Sequence, residues 1–172
     1  MLPTADISDQ YSDSVKVLEP IFYDYGGVKA FCGKVVTLKT LDDNTKVREA
    51  LESNGDGKVL VVDGQASVNC ALLGGNLASL ANKNGWSGII INGCVRDQLE
   101  IKEENVGVKA INSHPKKSNK DNGGEFGVDL NFANTDISDG DVIGRIAFQT
   151  PVSYTHLRAH ETEADLVCRL LL

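Results

Sequence analysis

A chain of 172 residues, 41% hydrophobic and 24% charged, has the size and balance of one domain able to bury a real core. Its formal net charge of −7 leaves no basic stripe for nucleic acid or an anionic membrane surface, although a local arginine can still bind a small anion. No run reaches the roughly 18 uncharged apolar residues of a spanning helix, and MLPTADISDQ has neither the basic nor the apolar region of a signal peptide.

The first predicted element is a short helix over residues 4–10, with Thr4 as its cap. Residues 28–40 alternate and are rich in Val, Phe and Thr, which predicts a strand. A helix over 45–53 follows, with Val47, Ala50 and Leu51 on one face, and SNGDG at 53–57 is a turn. KVLVVDG (58–64) is a continuous apolar run ended by Asp-Gly, as in a strand buried on both faces. Residues 70–83 read as a helical segment interrupted by Gly74-Gly75 and closed by Asn84-Gly85. SGIIING (87–93) is a second buried strand, a short helix starts near Asp97, and VGVKAI (106–111) is a third strand. This βαβαβ spacing predicts an α/β fold with a parallel sheet. Residues 112–125 are polar and form a loop, followed by a strand at 127–132 and a turn at 138–141.

From about Val152 the character changes. VSYTHLRAHET can be encoded by a transposase sequencing adapter read in frame, so 142–172 is read as a non-native tail, adapter-derived from about 152. His156 and His160, with Glu161 and Cys168 nearby, match a metal-ligand spacing. The favoured reading is two adapter-encoded histidines without an evolved role, and no site is placed there. Cys32, Cys70, Cys94 and Cys168 form no C-x-x-C pair. Their apolar neighbours predict buried free thiols, and hence a soluble cytoplasmic protein.

Two stretches carry chemistry. Gly74-Gly75-Asn76-Leu77 opens a helix, where the backbone can approach a carboxylate or phosphate and the first N–H groups point at it; tight packing against a strand is the other reading. It is not a nucleotide fingerprint. Gly93-Cys94-Val95-Arg96-Asp97 lies just past the carboxyl end of a buried strand, the edge where parallel sheets bind ligands. Arg96 offers a planar fork of donors for a carboxylate or oxyanion, and Asp97 a hard oxygen for a divalent cation. A surface ion pair with Asp97 capping the next helix explains the same residues. Glu100, three residues on, either binds a metal-bound water or is a solvated first-turn carboxylate. Asp63, at the end of its strand, is read as structural. Ser67 and Ser113 have no histidine partner, and His114 precedes Pro115 in a loop, so a nucleophilic triad is not expected.

The runs VLEP (17–20), VVTLKTLDDN (35–44), VLVVDG (59–64), ALLGGNLA (71–78), NGWSGIIINGCVRD (84–97) and GVKAINSHPKKS (107–118) resemble the regulator of ribonuclease activity A family, which includes the 4-hydroxy-4-methyl-2-oxoglutarate aldolases. The resemblance covers residues 1 to about 141, a single domain. Its core pattern, a Gly, twenty residues, Arg-Asp, two residues and an acid, is met by Gly75, Arg96-Asp97 and Glu100. It implies a swivelling-type β/β/α domain in a ring-shaped homotrimer with sites between subunits. It further implies a divalent-metal-dependent (Mg²⁺ or Mn²⁺) class II aldolase that releases pyruvate from 4-hydroxy-2-oxo acids and decarboxylates oxaloacetate. By that resemblance Gly74, Gly75, Asn76 and Leu77 hold the pyruvyl carboxylate, Arg96 contacts the keto or leaving portion, and Asp97 anchors the metal. Two features depart from the pattern. Many bacterial members have an acid where Gly75 stands, and the family's closing strand with its Tyr-Ala-Asp-x-x-Gly-type motif is not found after Asp141. A non-catalytic inhibitor that binds a ribonuclease is the other function in the family, but members known chiefly for that role lack the acid matching Asp97.

Overall fold

The computed structural model describes residues 4–144 and 169–171. Its centre is four parallel strands in sequential order: β3 (Cys32–Lys39), β4 (Val59–Leu73), β5 (Gly88–Val95) and β6 (Gly107–Ser113). Val35 pairs with Val59, Val59 with Gly88, and Gly88 with Gly107. Three helices make the crossovers: α2 (Thr45–Glu52), α3 (Gly75–Lys83) and α4 (Gln98–Glu103). The predicted βαβαβ unit is therefore present, extended by one further βα step at its start.

The apolar runs of β4 and β5 are continuous because both faces of the sheet are covered. Leu60, Val62, Ile89 and Ile91 point to the helices, meeting Val47, Leu51, Leu77, Ala81 and Ile101. The intervening Val59, Val61 and Ile90 point the other way, to Leu130, Phe132 and Ile137. Those last residues belong to the hairpin of β8 (Leu130–Phe132) and β9 (Thr135–Ile137). Helices, sheet and hairpin thus form three layers, an α/β architecture.

Phe31 shows why two neighbouring strands each begin with glycine. A Cβ on Gly88 would lie 2.2 Å from the Phe31 ring, and one on Gly107 2.0 Å from it. The ring therefore lies against bare backbone on β5 and β6, and is itself buried. Truncating it leaves a void between two strands that cannot close on it. Phe31→Ala is expected to cost about 3–5 kcal/mol of unfolding free energy, read from the urea midpoint at an unchanged slope.

Several boundaries differ from the sequence reading. Residues 70–73 are strand rather than helix. The strand expected to stop at Asp63-Gly64 bulges, with Gln65 and Ala66 at φ of 56° and 55°, and resumes to pair Ala71 with Cys94 and Leu73 with Val95. A short apolar run fits either structure, and pairing with β5 decides it. Likewise β3 starts at Cys32 rather than 28, and β6 runs to Ser113. The strand expected at 127–132 is confined to β8, and a separate short strand, β7 (Glu125–Phe126), precedes it and pairs with β3. The helix α1 (Thr4–Gln10) has the expected bounds.

The sheet is extended by short strands at its edges. β2 (Tyr23–Asp24) pairs with β6. β10 (Val142–Gly144) is antiparallel to β3, so a strand exists past Asp141 where none was expected. β11 (Arg169–Leu171) lies between β10 and β1 (Val15–Val17). His156, His160, Glu161 and Cys168 lie outside the described residues. Cys70 and Cys94 are buried free thiols as expected, whereas Cys32 is only half-buried. No helix among the described residues is long and apolar enough to cross a membrane.

Candidate functional site

The carboxyl ends of β4 and β5 lie side by side, and each gives way to a tight turn into a helix. Arg96 N–H donates to Leu73 C=O at 2.9 Å, which holds the Arg96-Asp97 turn against the glycine turn. Asp97 has a left-handed backbone (φ 55°), a conformation that costs an L-residue about 1 kcal/mol or more and that Asp tolerates better than most. That twist turns its side chain away from α4 and towards α3. The carboxylate makes no cap bond to its own helix. Instead Oδ2 accepts the Gly75 N–H at 3.3 Å and Arg96 Nε at 3.1 Å.

Both glycines make room for acids. A Cβ on Gly74 would fall 2.6 Å from Asp97 Oδ2, and one on Gly75 2.1 Å from Glu100 Oε2. Of the first α3 donors, Gly75 N–H is taken by Asp97 and Leu77 N–H by Gly74 C=O, at 3.0 Å. Asn76 N–H has no acceptor among the described residues, so it is the open donor of this helix start.

A cleft of about 160 Å³ lies in front of the turn, small beside the roughly 300–1,000 Å³ of common ligand pockets. Two groups of residues line it: Gly74, Asn76, Leu77, Arg96 and Asp97 from the two turns, and Asn44, Arg48, Lys117, Ser118 and Lys120 from the start of α2 and the polar loop. Four cationic side chains and one acid thus face it, within a chain of net charge −7. Such a cleft attracts a compact anion. Glu100 does not line it. It lies with Leu99, Ser113, His114 and Pro115 around a more open depression that shares Arg96 and Asp97.

The second group was invisible in the sequence, where 112–125 reads only as a polar loop. Its position is set by Asp43, which is 4% exposed. Asp43 Oδ1 accepts the N–H of Thr45 at 2.7 Å, and Oδ2 accepts those of Asp121 and Gly123 at 2.5 and 3.2 Å. One carboxylate therefore joins the start of α2, which carries Arg48, to the loop, which carries Lys117, Ser118 and Lys120. Burial pushes the Asp43 carboxyl up, but the N–H donors outweigh it and hold it below the ordinary carboxylate range. Because the folded value is depressed, its stabilisation is complete above the unfolded pKa of about 3.9 and is lost as pH falls through the folded value. Asp43→Ala is expected to cost on the order of 3 kcal/mol at pH 7 in chemical denaturation. The gap from the unaltered protein should shrink in acid below pH 4.

Among the described residues no three His, Cys, Asp or Glu side chains cluster as a metal cage. Asp97 still fits a hard cation. Its side chain is 32% exposed, and its Oδ1 has no hydrogen-bond partner among the described residues. Mg²⁺ and Mn²⁺ commonly take one or two carboxylates and keep several waters. The donor set suits that coordination and not a zinc site of three or four protein ligands.

A three-layer α/β domain with a cleft at the carboxyl ends of its parallel strands has its candidate site where open parallel sheets bind ligands. The chain belongs to the RraA-like family (Aldolase/RraA), whose pattern matches residues 4–144. It is 50% identical over 140 residues to an Alkalilimnicola ehrlichii protein named "Putative 4-hydroxy-4-methyl-2-oxoglutarate aldolase", covering 81% of this chain and 87% of that one. Among solved structures it resembles the RNA-processing inhibitor RraA from Thermus thermophilis, with TM-score 0.80, 41% identity and 83% and 86% of the two chains covered. A Geobacillus kaustophilus structure described as an S-adenosylmethionine:2-dimethylmenaquinone methyltransferase matches equally, with TM-score 0.80, 43% identity and 82% and 88% covered. One fold thus bears three functional names, so function must be argued from the site.

Proposed function

We propose that this protein is a divalent-metal-dependent lyase that cleaves 4-hydroxy-4-methyl-2-oxoglutarate or a related 4-hydroxy-2-oxo acid to pyruvate, and decarboxylates oxaloacetate. The observation that carries this reading is the Asp97 carboxylate, turned by a left-handed backbone onto the glycine turn beside Arg96 with one oxygen left over. The relatives named as aldolases support it.

In this reading the open Asn76 N–H and the α3 amino terminus bind the pyruvyl carboxylate. Arg96 presents its remaining guanidinium N–H groups to the keto oxygen. Asp97 Oδ1 would hold the cation, which supplies Lewis-acid polarisation of that oxygen. Both reactions break the bond beyond C3 and leave its electron pair on the pyruvyl fragment, delocalised onto the keto oxygen beside Arg96. In the retro-aldol case the 4-hydroxyl loses its proton and becomes a carbonyl; C3 then takes a proton to give pyruvate. Glu100, packed over Gly75 and lining the depression that shares Arg96 and Asp97, would hold a water able to carry that proton away. Lys117 and Lys120 line the cleft but are exposed, without the burial that activates a Schiff-base lysine, so in this reading the charge is met electrostatically.

The assay is pyruvate release from oxaloacetate with Mg²⁺ or Mn²⁺, repeated with chelator. Turnover should vanish with chelator and return when the cation is restored; turnover indifferent to chelator rules out the metal mechanism. We further propose a cytoplasmic homotrimer with sites between subunits. Leu99, 82% exposed beside Arg96 and Asp97, is apolar surface that such an assembly would cover.

The Thermus relative's name favours a second reading, a non-catalytic inhibitor of a ribonuclease. A pure binding protein has no need of an acid at Asp97. Inhibition of a ribonuclease that persists in Asp97→Ala, with no pyruvate release by the unaltered protein, would select it.

A further inference from the structure

We infer that Asp43 is a positioning residue for the cleft: its buried carboxylate touches no ligand, yet it sets where the cationic loop residues stand relative to the glycine turn and the Arg96-Asp97 turn. It thereby governs capture of the substrate anion without entering the chemistry. The inference rests on the lyase reading for the identity of that anion, and on the lining of the cleft for the rest.

The side chains that the loop offers to the cleft do not hold it in place. Lys117 and Lys120 have no carboxylate within salt-bridge distance among the described residues. The buried Ser118 Oγ has neither donor nor acceptor there. The loop's position must therefore come from ties to its backbone. Ala71 N–H donates to Lys116 C=O at 2.8 Å, and Asn119 N–H donates to Asp42 C=O at 2.8 Å. Further along, the N–H groups of Asp121 and Gly123 both donate to Asp43 Oδ2. Of these ties the one to Asp43 alone is charge-assisted, and such bonds are roughly twice as strong as neutral ones.

Asp43 also acts on the start of α2. Its Oδ1 accepts Thr45 N–H at 2.7 Å, in the segment whose Asn44 and Arg48 line the cleft. Asp43 is itself fixed, because the buried Thr40 Oγ1 donates to its backbone C=O at 2.8 Å. Its two carboxylate oxygens thus serve two different segments. An asparagine amide has a single oxygen acceptor, and its NH₂ group would face an N–H donor on the other segment. Asp43→Asn must therefore release either α2 or the loop.

The test pairs steady-state pyruvate release from oxaloacetate by the full chain in Mg²⁺ with calorimetric affinity for oxalate, which has the shape and charge of the pyruvate enolate. Asp43→Asn should raise KM and weaken oxalate binding about tenfold, the worth of one charge-assisted hydrogen bond. It should lower kcat no more than about twofold, because Arg96, Asp97 and Glu100 lie on turns that Asp43 does not touch. Lys120→Gln should weaken oxalate binding about threefold in the unaltered protein but less than about 1.5-fold on top of Asp43→Asn, since Asp43 acts through the loop. Phe31→Ala, destabilised where β5 and β6 begin, at the opposite end of the strands, is the control and should leave KM and oxalate affinity unchanged. Asp121→Pro removes one loop N–H at an exposed residue and leaves Thr45 bonded, so it should weaken oxalate binding about threefold. Unchanged oxalate affinity in Asp43→Asn, or in Asp121→Pro should Asp43→Asn not fold, overturns the inference. So does a loss that Phe31→Ala reproduces, or a Lys120→Gln effect that adds in full. Oxalate binding that depends on Asp43, without any pyruvate release, would sink the lyase reading and leave the positioning role standing. Pyruvate release with oxalate affinity indifferent to Asp43 would do the reverse, and an unaltered protein that neither binds oxalate nor releases pyruvate removes both.

Discussion

Asp97→Ala is expected to abolish the proposed metal-dependent pyruvate release from oxaloacetate. A Lewis acid at the keto oxygen supplies several kcal/mol of charge stabilisation, and each 1.36 kcal/mol is tenfold in rate, so the loss is at least about a thousandfold. Alanine removes the proposed cation ligand and also the acceptor that holds Gly75 N–H and Arg96 Nε in place. It further puts a residue ill-suited to φ 55° at the turn, so asparagine is the cleaner replacement. The Asp97→Asn side chain accommodates the left-handed backbone and keeps an oxygen acceptor, but loses the charge. If Asp97→Asn retains more than about a tenth of the turnover, the carboxylate is not the anchor and the mechanism fails.

The second large effect is at Arg96. Arg96→Ala is expected to lower kcat about a hundredfold or more, the scale of a lost oxyanion contact. Arg96 has two tasks in the turn: its Nε fixes Asp97 Oδ2 at 3.1 Å, and its remaining donors face the cleft. Lysine can reach a carboxylate but offers no planar fork, so Arg96→Lys should recover only part of the loss. A fall in kcat exceeding the rise in KM assigns the contact to the transition state; a rise in KM alone would make Arg96 a binding residue only.

Legibility along this chain followed how local each cause was. KVLVVDG and SGIIING are buried on both faces wherever they sit in the fold, so their strands could be read directly. The Gly74-Gly75 turn and the Arg96-Asp97 turn were legible for a similar reason, since each lies at a strand-to-helix junction marked by its own residues. Cys70–Leu73 was misassigned because four apolar residues suit strand and helix alike, and only pairing with β5 settles them. The β10 strand was missed because Val142–Gly144 has no pattern of its own and is recruited by the open edge of β3.

The loop residues that line the cleft lay furthest from the sequence's reach. Nothing local distinguishes Lys117, Ser118 and Lys120 from other residues of a polar loop. Their role depends on Asp43, 78 residues before Asp121, closing a buried hydrogen-bonded link between them. The sequence by itself determined the α/β class, the parallel strands, the glycine turn and the turn that carries Asp97, because apolar runs and turn residues act on their immediate neighbours. Only the tertiary structure decided which side chains face one another across the cleft. That choice is made by long-range hydrogen bonds and strand pairing, whose partners are not written at any fixed spacing.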